Sequence, residues 1–184
     1  VPSVNPNEPS GARERGVRNR PVTDPFEPGS TMKPFTIGAA LEAGVVRADQ
    51  EWDCEGGKWK IGTATIHDAE PEGTLTTTQV LARSSNICTA KITRRLGREG
   101  TNRFLRGMGF GALSGVDLPG ERAGQLRPVA QWGDVAFATI SFGQGMTATP
   151  IQLTTALAAF ANGGILYRPH IVRRVMDQKD HAVL

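Results

Sequence analysis

Residues 141–164, SFGQGMTATPIQLTTALAAFANGG, carry the strongest local instruction in this sequence. Thr149 stands where a helix cap belongs, Pro150 suits the first turn, and Gln152 completes a Thr-x-x-Gln capping box. In that arrangement each side chain satisfies a backbone N–H of the first turn that would otherwise lack a partner. Asn162-Gly163 supplies the stop. The stripe Leu153, Leu157, Phe160 and Ala161 predicts a face buried in a core. A helix of that kind needs a packed domain around it, and 184 residues at 39% hydrophobic are enough for about one.

Other elements follow from similar signals. From Met32 the apolar residues Met32, Phe35, Ala39, Ala40 and Ala43 recur at helical spacing up to Gly44. Pro34 disfavours helical geometry at Lys33, which predicts an irregular first turn. Thr76 and Gln79 form a second capping box, opening a short helix that stops at Ser84–Asn86. A further helix places Cys88, Ile92 and Leu96 on one face and stops at Gly97; another covers residues 99–108 and closes at Gly109. Residues 52–72 are rich in turn formers and predict short strands or an elaborated loop. Residues 1–29 hold six prolines and read as an extended loop, residues 30–164 as a helical region, and residues 165–184 as an edge strand (RPHIVRRV) followed by the start of a hairpin.

Charge is uneven. Residues 47–72 hold 3 basic and 7 acidic side chains, whereas residues 83–106 hold 7 basic and 1 acidic. The basic block could face an anionic polymer or surface. Phe104 is its one aromatic residue, so no platform for stacking bases exists and nucleic acid is not an expected partner. A solvated helix face is the plainer reading. Cys54 and Cys88 stand 34 residues apart without metal-ligand spacing, and three isolated histidines add nothing to them. So few cysteines leave the compartment open. No apolar run approaches the length of a membrane span, and no export-signal pattern is present.

The chemistry concentrates in EPGSTMKP, residues 27–34. Residues three apart share a helix face, so the Ser30 hydroxyl and the Lys33 amine can meet. Keeping Lys33 neutral at pH 7 costs about 4.6 kcal/mol against an ordinary pKa near 10.4. Burial at the head of an apolar helix is the means of supplying it. A neutral Lys33 can take the Ser30 proton as the hydroxyl attacks a carbonyl, and the free N–H of Ser30 can donate to the oxyanion. Ser84 and Asn86, one residue apart in a loop between helices, can serve the same cleft. One can protonate a leaving amine while the other holds a substrate amide. Taken alone each short motif is weak; a second Ser-x-Asn occurs at residues 3–5.

In order along the chain, GSTMKP, then RSSN, then GQGMTATPIQL resembles the penicillin-binding transpeptidases of the serine β-lactamase-like superfamily, specifically the monofunctional type with an N-terminal membrane anchor. RNRPVTDPFEPGSTMKPF and GVDLPGE at 115–121 are similar to that family as well, so the likeness covers nearly the whole chain. The resemblance implies an α+β fold, with Ser30 as the acylated nucleophile and Lys33 as its base. Ser84 would relay the proton to the departing D-alanine amine, and Asn86 would bind the donor amide. It further implies peptidoglycan stem peptides ending in D-Ala-D-Ala as substrate, β-lactam antibiotics as ligands, and cell-wall synthesis proteins as partners. The setting it implies is periplasmic, anchored to the inner membrane outside this chain, with no metal or organic cofactor.

The family's Lys-Thr-Gly or Lys-Ser-Gly triplet does not occur here; Lys60-Ile61-Gly62 has the outline but precedes the Ser-x-Asn motif. The expectation is therefore a chain truncated at both ends, the helix-rich part of the domain with most of the central antiparallel sheet missing. Such a chain should be inactive or very slow by itself. A β-lactamase, a β-lactam-sensing domain, a non-catalytic scaffold and an anionic-surface binding module remain the alternative readings.

Overall fold

The computed structural model describes Asn7 and residues 18–177. It is α+β and helix-rich. Ahead of the turn that holds Ser30, Arg20–Thr23 form a short helix, α1, where the proline content predicts only extended chain. Gly29–Met32 then make one 3-10 turn that runs into α2, Lys33–Glu42. This is the irregular start that Pro34 predicts, because a proline after Lys33 suits the first positions of an α-helix and not its interior.

Four short strands follow: β1 (Glu51–Asp53), β2 (Lys58–Ile61), β3 (Ala64–His67) and β4 (Thr74–Thr76). They pair as two antiparallel ribbons. β1 lies on β4 with Trp52 opposite Leu75, and β2 lies on β3 with Trp59 opposite Ile66. Both members of the Thr76–Gln79 capping box are made, and they launch α3, Thr77–Arg83. After the two-residue junction Ser84-Ser85 comes the long helix α4, Asn86–Gly107, broken at Gly97 where φ is +79°. That left-handed residue is the stop predicted between two helices. α5 (Asp134–Ser141) and α6 (Pro150–Ala161) complete the helical set, and Thr149 caps α6 through Gln152 as the sequence predicts.

The cores sit around α2 and α4. Met32 and Phe35 pack with Leu105, Phe110, Phe137, Ile140 and Met146. Phe35 meets Phe110 edge-on at 5.3 Å between ring centroids, a preferred aromatic geometry. On the other side Ile37 and Ala40 pack with Trp52, Val80, Cys88 and Ile92. Ala43, expected on the buried stripe, is exposed at the end of α2.

Two expectations fail here for identifiable reasons. On α6 the buried face is Gln152, Ala156 and Ala159, while Leu157 is 42% and Phe160 52% exposed. Gln152 takes the inward position because its amide has work there. Its Nε2 donates to the carbonyls of Ala112 and Ala123 at 2.6 and 2.8 Å, and its Oε1 accepts from Thr149 N–H. Leu153 still packs against the core and the Phe160 ring still meets Phe35 at 5.3 Å, while Leu157 and the rest of Phe160 face outward. The second failure is the edge strand at 168–175, which does not form. The Asp117 carboxylate instead accepts from the N–H groups of Ile171 and Val172, removing donors that a ladder would need. The hairpin expected after Met176 lies largely outside the described residues.

The basic block on α4 is used within the fold. Lys91 and Arg94 lie over the Trp59 ring at 5.4 and 5.5 Å, Arg95 lies over Trp52, and Arg98 bonds Asp134. These contacts favour the helix-face reading. No helix among the described residues is long and apolar enough to cross a membrane.

Candidate active site

Lys33 is the most deeply buried large polar residue of the described chain, 1% exposed at the head of α2. Its Nζ donates to both oxygens of Ser84: to the hydroxyl at 2.8 Å and to the carbonyl. Ser84 offers both from a left-handed backbone, φ +59° and ψ 38°, at the C-terminal cap of α3. Few non-glycine residues adopt that conformation, and such outliers gather at functional sites. Burial pushes the Lys33 pKa down to about 8 from its ordinary value, and the negative charge of Asp68 acts in the opposite sense.

Ser30 lies in the 3-10 turn immediately before Lys33 and is exposed. Its carbonyl accepts from Lys33 N–H. Its own N–H belongs to the first turn, where no partner within the helix exists. The Ser30 hydroxyl makes no hydrogen bond among the described residues, to Lys33 or to any other group. Asn86 is the first residue of α4 and half-buried; its Nδ2 donates to His67 O at 2.8 Å, which ties it to β3. Of the four residues singled out by sequence, then, Lys33 and Ser84 are in direct contact. Asn86 hangs from the same junction, and Ser30 stands free on the turn that precedes the lysine.

Gly143, in the GQG stretch, backs the Ser30 turn. Its carbonyl accepts from Gly29 N–H at 3.1 Å. A Cβ at this position would fall 2.2 Å from Gly29 O and 2.6 Å from Gly29 N, and φ is +81°. Both the close approach and the left-handed backbone demand glycine. Gly143→Ala is expected to cost about 2–4 kcal/mol and to lower Tm by roughly 5–10 °C. A thermal melt checks it, and an unchanged Tm contradicts the close contact.

Two contributors escape the sequence reading. Asp68, in the segment after β3, accepts from Ser85 Oγ at 2.6 Å, from Asn86 N–H at 2.5 Å and from Ile87 N–H at 3.0 Å. Nothing in its neighbourhood, HDAEPEG, distinguishes it from the other acids of that stretch. Cys54 and Cys88 form a disulfide with 5.2 Å between Cα atoms, stapling the end of β1 to the first turn of α4. A pair of cysteines in a chain this long does not by itself require a bridge, so the sequence leaves their pairing open.

A family model described as the penicillin binding protein transpeptidase domain matches residues 1–184. Penicillin-binding protein PbpB of Mycobacterium tuberculosis is 37% identical over 162 residues, covering 87% of this chain and 24% of its own length. Peptidoglycan D,D-transpeptidase FtsI of Escherichia coli K12 is 37% identical over 174 residues, covering 95% of this chain and 29% of its own. The chain thus spans less than a third of the length of these two relatives. Among solved structures, penicillin binding protein 3 from Mycobacterium tuberculosis complexed with aztreonam superposes with a TM-score of 0.85 at 35% identity, over 94% of this chain and 39% of that one. The apo transpeptidase domain of penicillin-binding protein 3 from Burkholderia pseudomallei gives 0.82 at 36% identity, over 90% and 49%. Matched in sequence along its full length and in backbone over most of it, the chain belongs to the penicillin binding protein transpeptidase domain family.

Proposed function

We propose that this chain carries the nucleophile, base and proton relay of a serine D,D-transpeptidase that cross-links peptidoglycan through an acyl-enzyme on Ser30. The observation that carries the reading is the buried Lys33 amine bonded to both oxygens of Ser84. A neutral amine has two N–H groups and one lone pair. Ser84 takes the two hydrogens, which leaves the lone pair for the Ser30 proton.

In the acylation step Ser30 Oγ attacks the carbonyl carbon of the penultimate D-Ala, and its proton passes to Lys33 Nζ. The new C–O bond forms, the oxyanion is met by the Ser30 N–H, and collapse breaks the C–N bond. Ser84 Oγ already accepts from Nζ, so its own proton is free to go to the departing D-alanine amine; Nζ then restores the Ser84 proton. Asn86 keeps its Oδ1 for a donor amide while Nδ2 is held by His67 O. An amine from a neighbouring stem peptide completes the transfer. A β-lactam follows the same first half and stalls as an ester on Ser30, which accords with relatives solved with aztreonam and ampicillin. The whole protein is read as an extracytoplasmic enzyme anchored in the inner membrane and working with other cell-wall synthesis proteins. The Cys54–Cys88 disulfide supports an oxidising compartment.

Penicillin turnover by the full-length protein tests this reading. The expected result is a long-lived stoichiometric adduct, together with D-alanine release from a D-Ala-D-Ala donor. Rapid hydrolysis of excess penicillin would assign a β-lactamase instead.

A further inference from the structure

The Ser84–Asn86 junction is held from outside by one side chain. Asp68 is 17 residues before Ser85 and 19 before Ile87 in sequence, yet its two carboxylate oxygens receive the Ser85 hydroxyl and the N–H groups of Asn86 and Ile87. Ser85 in turn caps α4, its Oγ accepting from Cys88 N–H at 3.0 Å. The residue immediately before this clamp is Ser84, the left-handed residue whose hydroxyl and carbonyl both face Lys33 Nζ. Ser85 satisfies one of the first-turn N–H groups that α4 leaves without an intrahelical partner, and Asp68 satisfies two others. The same carboxylate also accepts from the Ser85 hydroxyl, so one side chain from outside the helix ties down the three residues that follow Ser84.

We propose that Asp68 is a positioning residue of the acylation step: its carboxylate fixes the backbone at residues 85–87 so that Ser84 presents both oxygens to Lys33. The inference rests on the reading of Lys33 as base. It also places a fixed negative charge near the amine. Lys33 is faced by Ser84 from the α3–α4 junction and by Asp68 from the segment after β3, and among the described residues Asp68 is the charged group whose field reaches it. The Asp68 charge therefore stabilises the proton that Lys33 Nζ takes from Ser30, until Ser84 passes one to the leaving amine.

The test is the acylation rate of full-length wild type, Asp68→Asn and Asp68→Ala with a fluorescent penicillin from about pH 6 to about pH 10, normalised to the protein that finally labels. Wild-type rates should rise with pH about a midpoint near 8. In Asp68→Asn, which keeps an acceptor oxygen and loses the charge, the midpoint should fall by about half a unit or more. In Asp68→Ala the plateau rate should also drop about tenfold or more, because the junction is released. A role confined to helix capping would lower Tm and leave midpoint and plateau where they are, and that result overturns the proposal. Should Asp68→Ala not fold, the Asn variant decides alone, and an unchanged midpoint together with an unchanged plateau there refutes the proposal. A wild-type profile with no rise through this range would instead remove Lys33 as base, and the positioning role with it.

Discussion

Lys33→Arg is expected to slow acylation by about 10²- to 10⁴-fold, the range associated with losing a positioned general base. Arginine keeps the positive charge and can still donate to Ser84 O and Oγ, so the hydrogen-bonded junction has a partner. What it cannot do is give up its proton, because a guanidinium stays charged at any pH the fold survives. The wild-type amine, lowered by burial to about 8, is roughly one-tenth neutral at pH 7. Its acylation rate should therefore climb about tenfold between pH 7 and full deprotonation, whereas the arginine variant should show no such climb. Stopped-flow labelling at several pH values separates the two. Wild-type rates in Lys33→Arg would mean that the base lies elsewhere.

The contrast between that amine and its surroundings shows where sequence reading succeeds. Signals that act within one turn were legible. The capping boxes at Thr76–Gln79 and Thr149–Gln152 form as written, Gly97 breaks α4, and Pro34 marks the turn from 3-10 to α-helix. The burial of Lys33 at a helix head was legible for the same reason, whereas the α+β class came from the family resemblance. Features that depend on what lies opposite were not. Asp68 matters because the chain folds it onto a helix start 17 residues later, and no local pattern marks it. Gln152 takes the inner face of α6 because three loop carbonyls await its amide, so Leu157 and Phe160 turn outward against their hydropathy. Asp117 captures two N–H groups of the 168–175 segment by the same kind of long-range contact. Cys54 and Cys88 are brought within bridging distance by the packing of β1 on α4.

Which hydroxyl is acylated is the central question, because the structure puts Ser84 and not Ser30 in hydrogen-bond contact with Lys33. Chemistry favours Ser30. Ser84 ends a helix, and its carbonyl and hydroxyl are both engaged by Nζ. Thr31 Oγ1 donates to Pro28 O, and Ser85 Oγ donates to Asp68. Ser30 is exposed, its hydroxyl is unengaged, and its N–H lies in a first turn where it can serve an oxyanion. Substituting Ser30 should therefore remove the covalent step altogether, whereas substituting Ser84 should only slow it through loss of the relay. The direct measurement is intact-mass spectrometry of the full-length protein after penicillin treatment, comparing wild type, Ser30→Ala and Ser84→Ala. The account predicts a single penicilloyl adduct on wild type, a slower adduct of the same mass on Ser84→Ala and none on Ser30→Ala. An adduct persisting on Ser30→Ala would contradict it.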